Sequence, residues 1–239
     1  MIGKDFPPND FELFGLNLTD PTDFIYDVLM SIISFYFAYK LIKIGIKNKF
    51  SKGWALFYLF FALATLGGAF GHLFYNYFHY SGKLIGWILI PLSIYFVEVA
   101  MINAHWNPKV VHRGKLIYLI KLLCVYLTFL LILMNINPLE KPQLLFLPIA
   151  INSILGLLIG VGFFSYRFRA KISEDFHFIF MGIVFIFPSA FIFLFKINLH
   201  QWFSKNDFSH LLMIAGIIFF YIGVRKIMLS SALQDQIDK

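Results

Sequence analysis

The sequence predicts an all-α fold, a bundle of seven helices that cross a membrane, and three observations support this prediction. First, hydrophobic residues make up 59% of the 239 residues and charged residues only 14%, whereas a soluble domain is about a quarter charged. Second, the chain contains seven apolar runs, each close to the roughly 20 residues that cross a hydrocarbon core of about 30 Å. Third, the segments between these runs are rich in residues that end helices.

The predicted spans follow one another along almost the whole chain. Their approximate bounds are 23–46, 54–78, 84–104, 116–135, 144–166, 176–197 and 207–227. The breaks between them read NKFSKG, HYSGK, HWNPKVVHRGK, NPLEKPQ, RFRAKISED and LHQWFSKN. Because no long soluble loop interrupts the spans, residues 1–239 are predicted to form a single integral membrane domain. A short acidic segment (1–22) precedes the spans, and a short tail (228–239) follows them.

Basic residues are distributed unequally between the two sides of the predicted bundle. One side carries 14 of the 20 lysines and arginines, and the other side carries five. Loops rich in lysine and arginine stay in the cytoplasm. We therefore expect a multi-pass protein of the cell (inner) membrane, with the N-terminus outside and the C-terminus cytoplasmic. The larger set comprises Lys40, Lys43, Lys47, Lys49, Lys52, Lys109, Arg113, Lys115, Arg167, Arg169, Lys171, Arg225, Lys226 and Lys239.

The overall charge and the cysteine content narrow the function further. The net charge of +7 is explained by this basic collar, which suits anionic lipid headgroups, so no nucleic-acid partner is expected. Cys124 is the single cysteine, which excludes an intramolecular disulfide and a cysteine-based metal cluster. The first residues contain no apolar run, and we expect no cleavable signal peptide.

Polar side chains collect at the predicted outer ends of the second and seventh spans. His72 lies near the end of the second span, and Asn76 and His79 follow at i+4 and i+7 on the same predicted helix face. Asp207 and His210 lie one turn apart at the start of the seventh span. Metal sites in helical bundles combine such pairs with ligands from facing helices. We therefore expect His72, Asp207 and His210 to bind zinc, Asp207 to act in catalysis, and Asn76 and His79 to support the ligands.

Other interpretations of the same residues remain open. Asp207 at a helix N-terminus is also favoured by the helix dipole, with Ser204 or Asn206 as the cap. His72 could hydrogen-bond a backbone carbonyl group. The head of the first span is acidic as well, with Asp20, Asp23 and Asp27 at the same predicted end of the bundle.

Two oppositely charged residues lie inside predicted spans near the inner side. Glu98 of the third span and Lys121 of the fourth flank one short loop, and helices joined by a short loop are antiparallel neighbours. The two residues should therefore lie at similar depth and form a buried ion pair, because an isolated charge there is costly. A proton or ion relay is the alternative.

In the fifth span, Gly156 and Gly160 have the GxxxG spacing of close helix contacts.

The histidines of the second and seventh spans resemble a known pattern. The sequence GAFGH with His72, and SHLLMI with His210, are similar to the CREST superfamily, which includes alkaline ceramidases and adiponectin-receptor-like proteins. This resemblance implies a seven-helix, zinc-dependent hydrolase that acts on lipid amides. Gly68 stands at the family's serine position and Ile214 at its second histidine of the seventh span. The third span has no aspartate, so Asp207 or another residue would have to replace the missing ligand.

Two functions follow from these observations. The first is a metal-dependent membrane hydrolase that acts on a lipid or another apolar amide or ester. The alternative is a non-enzymatic sensor or transporter of a small apolar molecule, in which Glu98 and Lys121 would be more important than the outer histidines. The metal content of the purified protein, compared with that of a His72→Ala variant, distinguishes these two functions.

Overall fold

The computed structural model describes residues 2–46, 48–136 and 142–230. Within these ranges, seven helices are long and apolar enough to cross a membrane, which confirms the predicted number of long apolar helices. In chain order, the spans are Pro21–Ile44, Lys49–Leu73, Tyr75–Asn103, Pro108–Asn135, Leu144–Lys171, Phe176–Leu194 and Lys205–Leu229. Most of the predicted C-terminal tail lies outside the described residues.

Local sequence signals explain where several spans begin. Asn48 caps the second span by accepting a hydrogen bond from the Ser51 amide at 2.9 Å, and Asn107 caps the fourth in the same way. Pro21 and Pro108 occupy the first turns of their helices, where a missing N–H has no helical partner to lose.

Two spans are not continuous α-helices. The third consists of a short helix Tyr75–Phe78, a 3₁₀ turn His79–Lys83 and the helix Leu84–Asn103. The fifth contains the helices Pro142–Leu155 and Phe164–Lys171, joined by a π-helical stretch that begins at Gly156. π-Helical segments frequently occur at functional sites.

The acidic N-terminal segment forms a β-hairpin that the sequence does not predict. Its strands Asp10–Leu13 and Leu16–Thr19 are antiparallel, with Leu13 opposite Leu16. Phe14 and Gly15 between them both have positive φ, 54° and 75°, as a two-residue hairpin turn of type I′ requires. The hairpin leads directly into the first span.

The core is rich in aromatic side chains and draws on the first, second, third, fifth, sixth and seventh spans. Trp54, Tyr58 and Phe220 are completely buried, and the Trp54 and Phe220 rings lie 5.4 Å apart. The Tyr58 hydroxyl donates to the Ile217 carbonyl oxygen at 2.8 Å. This contact joins the second span to the seventh.

Candidate functional site

Acidic and basic side chains of the first, second, third and seventh spans meet at one end of the bundle. Asp20 precedes the first span with a left-handed backbone, φ 45° and ψ 59°. Asp23 and Asp27 follow one turn apart, and both are buried, with 4% and 5% of their surface exposed. Because positions i and i+4 share a helix face, the two carboxylates point the same way, towards the histidines of two other spans.

Asp23 contacts His72 of the second span. The Asp23 Oδ2 atom lies 3.2 Å from His72 Nδ1, and Lys83 Nζ lies 3.4 Å from the same ring nitrogen. This nitrogen can donate to the carboxylate or accept from the ammonium group, but one tautomer cannot do both. The His72 backbone is also held, because the Thr19 hydroxyl donates to its carbonyl oxygen at 2.6 Å.

Asp27 contacts His210 of the seventh span. Its Oδ1 atom lies 3.7 Å from His210 Nε2. The other ring nitrogen, Nδ1, is buried and has no hydrogen-bond partner within the described residues. A Cβ atom on Gly68 would lie 3.1 Å from Asp27 Oδ2. The glycine at the position where the CREST pattern has serine therefore leaves room for this carboxylate.

Asp207 both caps the seventh span and faces the cluster. Ser204 is the N-cap residue, and its backbone N–H donates to Asp207 Oδ2 at 2.6 Å. The Thr22 hydroxyl lies 3.4 Å from the same oxygen. Asp207 is completely buried, and its Oδ1 atom has no hydrogen-bond partner in the described part of the chain. The capping interpretation therefore accounts for one carboxylate oxygen and leaves the other free to act.

The start of the seventh span also surrounds Asp23. The Asn206 side chain donates to Asp23 Oδ2 at 2.8 Å, and the Ser204 hydroxyl lies 3.5 Å from Oδ1. The Asp207 carboxyl group contacts that of Asp23 as well. Asp23 is therefore the residue on which three spans converge.

The structure groups a different set of potential ligands from the predicted one. Ligand atoms of Asp20, Asp23 and His72 lie within 4.8 Å of one another, and this is the set of three that the described residues provide. Asp207 and His210 are neighbours of this set. His72 is common to the predicted and observed sets, and two aspartates of the first span take the other places.

The prediction that Asn76 and His79 share a helix face with His72 is wrong. The second span ends at Leu73, and Phe74, with φ −99° and ψ 25°, separates it from the short helix that begins at Tyr75. Both side chains are exposed, and the Asn76 amide donates to Asp10 of the hairpin at 3.2 Å.

A close backbone contact gives the physical reason for this break. A Cβ atom on Gly71 would lie 2.7 Å from the Gly82 carbonyl oxygen. This contact holds the 3₁₀ turn against the end of the second span, so that Lys83, and not Asn76, is presented to His72.

The N-terminal segment covers this end of the bundle. The Asn9 backbone N–H donates to Asp20 at 3.1 Å, and its side chain donates to the Gln201 carbonyl oxygen at 2.9 Å. The Gly3 N–H donates to the Phe195 carbonyl oxygen at 3.1 Å. We call residues 3–19 the N-terminal strap. Burial raises the pKa of the Asp20 carboxyl group, and the hydrogen bond from Asn9 opposes this effect.

Charge is unbalanced within the cluster. Four carboxyl groups, those of Asp20, Asp23, Asp27 and Asp207, face one lysine, Lys83. With neutral histidines, the formal charge is three negative units in a largely buried volume. Buried charges are stable only when they are paired. The cluster therefore requires protons or a bound cation for electrical balance.

The predicted contact between Glu98 and Lys121 is present, away from the Asp–His cluster. Lys121 Nζ lies 2.6 Å from Glu98 Oε1. The exposed fraction is 2% for the Glu98 side chain and 24% for that of Lys121. The two groups belong to consecutive antiparallel helices, as the short connecting loop requires.

The fold and the site define a class of protein: a seven-helix bundle of membrane-spanning length with a buried Asp–His cluster at one end. The chain belongs to DUF6962, a family of unknown function, which matches residues 22–229. No curated protein and no solved structure matches the chain.

Proposed function

We propose that the protein is a metal-dependent integral membrane hydrolase that acts on a lipid or another apolar amide or ester. The observation that carries the proposal is the convergence of Asp20, Asp23 and His72 ligand atoms within 4.8 Å, inside a cluster with excess negative charge. Zinc accepts oxygen and nitrogen ligands of this kind and retains an open position in catalytic sites.

The donor set fits a divalent cation on independent grounds. Asp207 Oδ1 is a fully buried carboxylate oxygen without a partner among the described residues, and its carboxyl group contacts Asp23. A divalent cation would reduce the formal charge of the cluster from three negative units to one. When bound, zinc would polarise a carbonyl group and lower the pKa of a bound water molecule.

The residues around the ligands would orient the ligand side chains and the substrate, and would accept a proton from the attacking water molecule. Asp207 Oδ1 is placed to accept a proton from an attacking water molecule, because its other oxygen is held by the helix cap. Asn206 orients Asp23 through its 2.8 Å hydrogen bond. Asp27 lies beside His210 Nε2 and favours a proton there, which leaves Nδ1 to accept a hydrogen bond from substrate or water.

Metal content of the purified protein tests this function. We expect about one zinc ion per chain in the unaltered protein and a loss of bound zinc in the His72→Ala variant, measured by mass spectrometry of the purified samples. His79→Ala is the matched control, because His79 is exposed and lies outside the cluster. It should retain the metal.

Hydrolysis of a fluorogenic lipid amide in mixed micelles completes this test. Activity should follow zinc content across the same three proteins. A metal-free but folded unaltered protein that does not respond to added zinc would contradict the proposal. It would favour the sensor or transporter, for which the buried charges within the spans are the supporting observation.

We further propose that the candidate site faces outward, with the N-terminus outside and the C-terminus in the cytoplasm of a cell (inner) membrane. The unequal distribution of basic residues supports this orientation. Water from outside and an amphiphile from the outer leaflet would then reach the site from different directions. A topology reporter fused after Lys239 should be active only in the cytoplasm, and one inserted at Pro138 only outside. The opposite pattern would place the site on the cytoplasmic side.

A further inference from the structure

A second polar cluster lies between the third, fourth and fifth spans. Glu98 lies about 20 Å along its helix from the end that carries Lys83, at 1.5 Å per residue. Lys121 Nζ, besides its contact with Glu98 Oε1, lies 3.5 Å from the backbone oxygen of Asn152. Glu98 and Asn152 are each only 2% exposed. One ammonium group therefore brings a carboxylate and a buried asparagine together, away from the candidate metal site.

Three polar atoms of this cluster have no hydrogen-bond partner within residues 2–46, 48–136 and 142–230. They are Glu98 Oε2 and both side-chain polar atoms of Asn152, Oδ1 and Nδ2. Buried polar atoms in proteins are almost always paired with protein groups or with ordered water. The residues joined by Lys121 thus leave two acceptors and one donor unpaired, which points to a bound molecule that both donates and accepts hydrogen bonds.

Two glycines of the fifth span leave room for the side chains of Glu98 and Lys121. Gly156 and Gly160 follow Asn152 at intervals of one turn, on the same helix face. A Cβ atom on Gly156 would lie 3.1 Å from Lys121 Nζ, and one on Gly160 would lie 2.6 Å from Glu98 Cγ. Both glycines belong to the π-helical stretch. The spacing that suggests a helix–helix contact in the sequence therefore serves to seat the ion pair.

We propose that Glu98, Lys121 and Asn152 form a hydration site inside the bundle, which binds water and is separate from the metal site. A buried water molecule typically makes about three hydrogen bonds to otherwise unpaired polar groups, and it can donate to Glu98 Oε2 and Asn152 Oδ1 while accepting from Nδ2. A metal cation does not fit, because Lys121 already neutralises Glu98. An anion does not fit, because two of the three unpaired atoms are acceptors. The water completes the hydrogen bonding of a charge pair in apolar surroundings.

Hydroxyl-radical footprinting of the full chain in detergent tests the site directly. Radiolysis of bound water modifies side chains beside it even when they are buried. Ile94 is 4% exposed and lies against Gly156 next to the ion pair, whereas Ile179 is completely buried in the aromatic core. We expect Ile94 to be modified several-fold faster than Ile179. Equal rates would overturn the proposal.

Asn152→Leu provides a second measurement with a defined sign. If water satisfies the amide, leucine removes its partner and leaves Glu98 Oε2 unpaired, so the melting temperature and the Ile94 modification rate should both fall. A dry, unpaired amide would instead give a raised melting temperature, and a raised or unchanged value overturns the proposal. Ser153→Ala is the matched control and should leave the Ile94 rate unchanged, because its hydroxyl donates to the Ile149 carbonyl oxygen of its own helix. If Asn152→Leu does not fold, the comparison of Ile94 with Ile179 in the unaltered chain decides.

Discussion

Replacing Lys121 by methionine should lower the free energy of unfolding by about 3–5 kcal/mol, the effect of leaving a buried charge without its partner. The reason lies in the unequal burial of the pair. Glu98 is 2% exposed and Lys121 24%, so the carboxylate left behind stays enclosed between the helices, whereas the long side chain of a lysine left behind can move its ammonium group out of the bundle towards the membrane interface. Lys121→Met should therefore destabilise the protein more than Glu98→Gln does.

A double-variant cycle in detergent, followed by chemical or thermal unfolding, measures this effect. Lys121→Met combined with Glu98→Gln should be much more stable than Lys121→Met alone, because replacing both members of a buried pair is often neutral. Glu174→Gln is the matched control, since Glu174 is an exposed carboxylate, and it should change stability little. Strictly additive losses in the double variant would show that the contact contributes nothing.

Zinc should stabilise the unaltered protein by about 2.7 kcal/mol when its free concentration is 100 times its dissociation constant, since a ligand that binds only the native state has this effect. This expectation rests on the proposed function. Asp23→Asn should abolish the increment, because Asp23 belongs to the grouped ligand set and also contacts Asn206 and His72. Unfolding of chelator-treated protein with and without added zinc gives the measurement.

Glu12→Gln is the control for this comparison. It removes a carboxylate from the same end of the molecule, but Glu12 is exposed in the hairpin. The increase in its free energy of unfolding on addition of zinc should equal that of the unaltered protein. If the Asp23→Asn protein is stabilised by zinc as much as the unaltered protein, Asp23 is not a zinc ligand.

The number of spans and the Glu98–Lys121 contact could both be predicted from the sequence. Each follows from a local rule: the length of an apolar run, and the antiparallel packing of consecutive helices. The end of the second span could not be predicted in this way. Apolar and aromatic residues continue past His72, whereas the structure ends the helix at Leu73, close to the contact between Gly71 and Gly82.

The membership of the candidate site was harder to predict, for a related reason. Asp23 and Asp27 have the i, i+4 spacing of a common helix face, and this signal is present in the sequence. The packing of the first span against the seventh cannot be predicted from local sequence patterns. This packing brings the two aspartates to Asn206 and His210. The hairpin escaped prediction because its strands have four residues each, too few for a clear alternation.

The pairing of the first span with the seventh has a consequence for biogenesis. During synthesis, Asp23 and Asp27 enter the membrane with the earliest helix, whereas Asn206 and His210 arrive only with the last one. The N-terminal strap is likewise made first, yet Gly3 and Asn9 bind the loop before the last helix. Until translation passes that helix, Asp27 therefore lacks its contact with His210, and the strap lacks part of its hydrogen bonding.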